Sequence, residues 1–210
     1  MVKETADFAK PRSAIAEVLS SSITALCAQT SAQEDLDAGI KPRFGSFLTV
    51  ESNDSDLRIF AVVYNVITGA PDAVHKPLAL GMSRDELRIE QPHIFSLLRT
   101  DVHAAIVGYE QNGIVYQHLP PHPPDVHDFV YAATAHEITE LTKSFEFLRL
   151  LMHISSVPAD ELLAATIREA QQTTGRPESF LVAAGQALSQ LLQSDYDRLL
   201  SLLRKIRPTS

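Results

Sequence analysis

Gly45-Ser46-Phe47-Leu48-Thr49-Val50 and Ile59-Phe60-Ala61-Val62-Val63-Tyr64-Asn65-Val66 decide the fold class. Both runs are short and rich in β-branched and aromatic residues, which fit the pleated surface of a strand. Between them lies Asn53-Asp54-Ser55-Asp56. Such side chains fold onto neighbouring backbone groups and favour turns. Together the two runs predict antiparallel strands joined by a turn. Asp54 and Asp56 read as turn formers, because a calcium loop needs more ligands than this stretch holds. Gly69-Ala70-Pro71-Asp72 closes the second strand.

Downstream, Ser83-x-x-Glu86 has the spacing of a capping box and predicts a short helix. Leu87-x-Ile89 could equally begin a strand, and residues 93–100 a short helical turn. Val102, Ala105, Ile106 and Val107 predict a strand over 101–108. Asn112-Gly113 then supplies the positive φ angles of a tight hairpin, and 114–119 is the returning strand. Pro120-Pro121-His122-Pro123-Pro124 cannot join a central strand, since proline has no N–H to donate. A last short strand is expected over 126–131.

The rest reads as helix. Thr134-x-x-Glu137 is a second capping box. Ile138, Leu141, Phe145, Leu148 and Met152 behind it step by three and four, one apolar stripe that predicts one helix. Val157-Pro158 and Thr173-Thr174-Gly175-Arg176-Pro177 separate further helices, and Ser194-Asp195 offers another break. Upstream, Ile15, Leu19, Ile23 and Leu26 recur at helical spacing after Pro11 and predict an N-terminal helix. Residues 29–40 read as a polar linker, and the residues before Pro11 as a loose leader. The expected organisation is α+β: an N-terminal helix and linker at 1–40, a small antiparallel β-barrel at 41–133, and a helical segment at 134–210.

The 210 residues include 45% apolar and 21% charged side chains, enough to bury a core. Net charge is −8. Residues 1–40 carry 3 basic and 6 acidic side chains, 41–135 carry 7 and 11, and 136–210 carry 8 and 9. No segment is net basic, so a phosphate-tracking groove for nucleic acid has no support. Arg198, Arg204, Lys205 and Arg207 cluster near the C-terminal tip. They suit a helix C-terminus, whose dipole favours cations, or a patch for an anionic partner. One cysteine, Cys27, excludes an internal disulfide and a cysteine-based zinc site. The first ten residues hold mixed charge without an apolar run, and no stretch reaches the roughly 18 apolar residues of a membrane span. A soluble, cytoplasmic protein is expected.

Catalytic signatures are scarce. Gly108 and Gly113 have the glycine spacing of a phosphate-binding loop, but Ile114-Val115 stand where Lys and Ser or Thr are needed. His118, His122, His127 and His136 lie close in sequence. Prolines between the first two forbid the helix that would align them on a metal. Cys27, beside Leu26, reads as a small buried hydrophobe rather than a nucleophile. No cofactor, metal site or catalytic residue is expected. Pro120, Pro121, Pro123 and Pro124 could serve an aromatic groove as a preformed polyproline segment, or form a structural turn. With Arg204, Lys205 and Arg207 they are the candidate partner-binding residues.

The middle of the chain resembles the HAS barrel, the small β-barrel shared by HerA-type DNA translocases and rotary ATP synthase subunits. The similar elements come in order: Gly45–Val50, Ile59–Val66 with small Ala61 before its valines, Ala105–Tyr109 before a hairpin, and Leu119–Val126 before Val130–Ala133 and a helix near Glu137. They span under half of the chain. The resemblance implies a barrel that holds subunits together or receives a partner, as HerA's receives the nuclease NurA. The P-loop domain of those proteins has no counterpart here, so ATP hydrolysis and translocation are not implied. The expected role is a non-catalytic interaction or oligomerisation module, docking to a partner or to its own copies. The alternative is an accessory subunit of a HerA/NurA-like DNA-processing or ATPase machine.

Overall fold

The computed structural model describes residues 12–30, 42–52, 57–70 and 79–207. Seven strands lie among them: β1 (Ala16–Ser21), β2 (Ala25–Gln29), β3 (Phe47–Glu51), β4 (Leu57–Gly69), β5 (Arg99–Gln111), β6 (Ile114–Tyr116) and β7 (Phe129–Ala132). Seven helices accompany them: α1 (Arg84–Glu90), α2 (His93–Leu97), α3 (Ala135–Leu141), α4 (Leu148–Leu151), α5 (Ala159–Thr174), α6 (Glu178–Leu191) and α7 (Tyr196–Ile206). The strands run in the order β2-β1-β7-β3-β4-β5, and β5 returns to pair with β2. Every pairing is antiparallel. This closes a six-stranded barrel, with β6 attached outside the ring as the second arm of the β5 hairpin. Closure removes most of the free edges that short strands would otherwise expose. The fold is α+β, a small antiparallel barrel followed by a helical segment.

The N-terminal helix expected over the first segment is not there. Residues 16–29 form the β1–β2 hairpin, and both strands belong to the barrel. The stripe at Ile15, Leu19, Ile23 and Leu26 is misleading, because Leu19 and Ile23 face solvent. The decisive pattern has period two. Ala16 and Val18 point inward on β1, and Leu26 and Ala28 on β2. A bulge between Val18 and Ser20 interrupts β1 and hides that alternation. The barrel therefore takes strands from both sides of residue 40. The leader before Pro11, most of the 29–40 linker and the Asn53–Asp56 turn lie outside the described residues.

At the hairpin turn and the helix caps the sequence expectations hold with small shifts. Gln111 pairs with Ile114 across an Asn112-Gly113 turn in which both residues have positive φ, 53° and 76°. Gly108 sits inside β5, so the glycine pair is a hairpin feature. A Cβ at Gly108 would overlap the Tyr116 carbonyl oxygen. The returning strand is only three residues long. Ser83 and Thr134 each form the complete capping box that their spacing predicts.

Two apolar cores share β3, β4 and β5. Leu48, Val50, Ile59, Ala61, Val63, Val102, Ala104 and Ile106 fill the barrel with residues of β1, β2 and β7. Phe47, Phe60, Val62, Ala105 and Val107 point the other way, into the helices. There they meet Ile138, Leu141, Phe147, Leu163 and Leu188, among others. Phe47 and Phe147 pack edge to face at 6.2 Å. The helical segment thus covers its own barrel.

The stripe from Ile138 to Met152 is split between α3 and α4. The split has a cause at Gln117. Its side-chain amide nitrogen donates to the Leu141 and Ser144 carbonyls, and its oxygen accepts from Phe147 N–H at 3.1 Å. Arg176 adds bonds to Thr142 Oγ1 and the Thr139 carbonyl, both 2.9 Å. Groups left over at a helix end are satisfied by side chains from elsewhere, so the chain can bend and remain buried.

Glu137 fixes the barrel to α3. Its carboxylate accepts from Thr134 N–H at 2.7 Å and Thr134 Oγ1 at 2.9 Å. Arg12 approaches both oxygens at 2.9 Å, a bidentate pair, and also donates to Thr49 Oγ1 and the Ala132 carbonyl. Arg58 reaches Glu137, Glu51 and Glu110. Burial works against the Arg58 charge, but the three carboxylates more than offset it and raise its pKa. Glu137→Ala should destabilise the fold by about 3 kcal/mol, because a mostly buried carboxylate leaves two guanidinium groups without it. Urea unfolding checks this, and a loss near zero would contradict the hub role. Gly45 has φ +84° and lies against α5, where a Cβ would approach the Ala165 backbone to 2.8 Å. Gly45→Val should cost at least about 2 kcal/mol in the same assay.

Candidate interaction surfaces

The helices cover the outer face of β3, β4 and β5. Strands β1, β2 and β7 turn their outer side chains elsewhere. In register, Phe129 on β7 lies beside Glu17 on β1, which lies beside Gln29 on β2. Gln29 in turn donates to Asp101 on β5 at 2.8 Å. Beside this row sit two exposed apolar side chains: Leu19 is 44% exposed and Phe129 48%. Leu19 stands at the β1 bulge, facing outward next to inward Val18. Two large apolar side chains along one groove make a candidate contact surface.

A shallow groove of about 350 Å³ crosses this flank, lined by Ile15, Glu17, Leu19, Gln29, Arg99 and Phe129. Thr30 also lines it, and among the described residues its buried Oγ1 has no hydrogen-bond partner. Glu17 bonds His127, whose φ of 77° is a left-handed conformation held in the turn before β7.

A second exposed element is the far end of the β4–β5 hairpin. The β3–β4 register ends at Phe47 opposite Val62, and Gly45 and Ser46 extend the bonding as far as Val63. From Asn65 to Gly69, β4 pairs with β5 on one side, and among the described residues no strand covers the other. Asn65 through Thr68 are exposed.

The proline cluster serves as a connector between β6 and β7. Pro120 and Pro124 are buried, Pro123 is half-buried, Pro121 is exposed, and the Pro124 carbonyl accepts from Ser21 Oγ at 2.6 Å. A ligand for an aromatic groove must present its prolines. The basic tip is largely tied to acids on neighbouring helices. Arg198 holds Asp160 at 2.8 and 2.9 Å, Lys205 holds Glu161, and Arg207 holds Glu178 at 3.0 Å. Arg204 is exposed, without an ion pair among the described residues. These bonds staple α7 to α5 and α6.

The four histidines do not converge. His118 packs at the edge of Tyr109, His127 bonds Glu17, and His122 and His136 are exposed. Among the described residues no group of three His, Cys, Asp or Glu side chains could hold a metal ion. No helix among them is long and apolar enough to cross a membrane. Cys27 lies on the outer face of β2, opposite His103, and is half-buried rather than part of the core. The surface apolar cluster escaped sequence reading because Leu19 was assigned to a helix stripe. Neither a protein-family model nor a curated protein matches the chain.

Burial, and then the Asp101 charge, push the Cys27 thiol above its ordinary pKa. The thiolate is the reactive form, so less of it is present at any given pH than for a free cysteine. Alkylation of the native chain by iodoacetamide at pH 8 should run at least about fivefold slower than that of glutathione. A rate equal to or faster than that of glutathione would show an activated thiol.

Proposed function

We propose that the chain is a non-catalytic interaction module built on a HAS-like barrel, acting in the cytoplasm by docking to a protein partner or to further copies of itself. One observation supports this above the others. The barrel has two flanks of different character: the chain's own helices seal one, while Leu19 and Phe129 stand exposed on the other. A barrel built only to fold would have no reason to gather large apolar side chains on its open flank. The wide apolar contact between barrel and helices makes a firm platform, and a firm platform lowers the ordering cost of binding. The HAS-like order of strands, with a proline-containing turn before the last strand and a helix after it, supports the same role.

The test is a double substitution, Leu19→Glu with Phe129→Glu, in the full chain. Both side chains are exposed, so folding stability should change by no more than about 0.5 kcal/mol. Association should be lost, read as native mass by light scattering and as stoichiometric protein retained on a tagged chain purified from cells. A chain that travels alone as a strict monomer, or whose complexes ignore both glutamates, would remove the open flank from consideration.

A further inference from the structure

We infer that the free edge of β4, from Asn65 to Gly69, pairs antiparallel with the same edge of a second copy, about a two-fold axis at Ile67. This deepens the interaction-module reading and rests on it, but uses a surface away from the Leu19–Phe129 flank.

The geometry begins at Val63, where bonding to the β3 side stops. The register slips by one residue between Val63 and Asn65, so the bulge resets which amides face outward. Val66 N–H meets Asn65 Oδ1 at 3.0 Å, a local bond made off the free side of the strand. Alternation then turns the Thr68 backbone outward as well, while its hydroxyl stays on Thr100 at 2.8 Å. The other side of this hairpin is already taken, since Gln29 pairs with Asp101 and Thr30 N–H donates to the Thr100 carbonyl. One edge is open.

Hydrogen-bond geometry dictates that the occupant is a strand. Charge argues that it is a second copy. Tyr64-Asn65-Val66-Ile67-Thr68-Gly69-Ala70 carries no charge, although the chain as a whole carries −8. Two such edges can meet without a like-charge pair, and a foreign basic strand finds no carboxylate here to select it. Of the devices that usually blunt an edge, a bulge stands at the start of the stretch, while a lysine, a proline and an inward charge are absent from it. With the axis at Ile67, Val66 of one copy exchanges backbone bonds with Thr68 of the other. Ile67, 50% exposed, then faces its own copy in the close, non-hydrogen-bonded position. Asn65 faces Gly69, which leaves room for its side chain to release the Val66 amide.

Sedimentation of the full chain should show a species of twice 23.1 kDa that grows with concentration up to about 100 µM. Ile67→Lys should weaken this dimer at least about tenfold by setting two ammonium groups face to face. Ile67→Cys in a Cys27→Ala background should form a disulfide-linked dimer under mild oxidation, because that position spaces the two Cα atoms at about 4.5 Å. Val182→Cys, exposed on α6, should not. A strict monomer throughout that range overturns the inference, and so does a dimer that Ile67→Lys leaves intact. A dimer dissolved by the Leu19 and Phe129 glutamates alone would overturn the edge and keep the module.

Discussion

Residues 47–50 of β3, 59–63 of β4 and 104–107 of β5 are buried on both faces, and the rest of the molecule follows from that constraint. One face completes the barrel and the other receives the helices. Neither layer can be removed without stripping the other of a wall. Barrel and helical segment therefore behave as one body with two cores rather than as two domains in series. The residues that make this possible are the small ones at the crossings: Ala61 and Ala104 inside, Ala105 outside, and Gly45 where the chain passes under α5. At each, a larger side chain would separate surfaces that now touch.

Electrostatics reinforces the same joint. Glu137 ends a capping box and accepts a bidentate arginine from the N-terminal segment, so one carboxylate ties three parts of the chain together. A buried charge is tolerated only when its lone pairs are occupied, and here they are. The helix ends near Gln117 obey the same rule with a neutral side chain. Elsewhere the pattern reverses. Leu19 and Phe129 on the outer barrel flank, and residues 65–68 of β4 apart from them, are exposed. Among the described residues stability is concentrated where barrel and helices meet.

Much of the fold was legible beforehand. The runs Gly45–Val50 and Ile59–Val66, the Asn112-Gly113 turn and both capping boxes act through neighbours in sequence, so their geometry is local. The N-terminal hairpin was not legible, because a bulge at Leu19 broke its alternation and left a false helical stripe. The split of the Ile138–Met152 stripe was not legible either, since the bonds that hold it come from Gln117 and Arg176, far along the chain. Of the surfaces, the proline run and the basic tip stood out in sequence, yet packing and ion pairs occupy most of both. The surfaces that remain open were silent, because exposure belongs to the assembled molecule and is not a property of Leu19, Phe129 or Ile67 alone.

By itself the sequence determined the strands at 45–50, 59–66 and 101–108, the Asn112-Gly113 turn, both capping boxes, the acidic balance and the lack of a phosphate-binding motif, because these rest on propensity, period and composition over a few residues. Only the tertiary structure decided that β1 and β2 close the barrel, that the helices roof their own strands, and that among the described residues one flank and one edge stay uncovered. Burial on both faces of a strand depends on what arrives from elsewhere in the chain, and no local pattern carries that information.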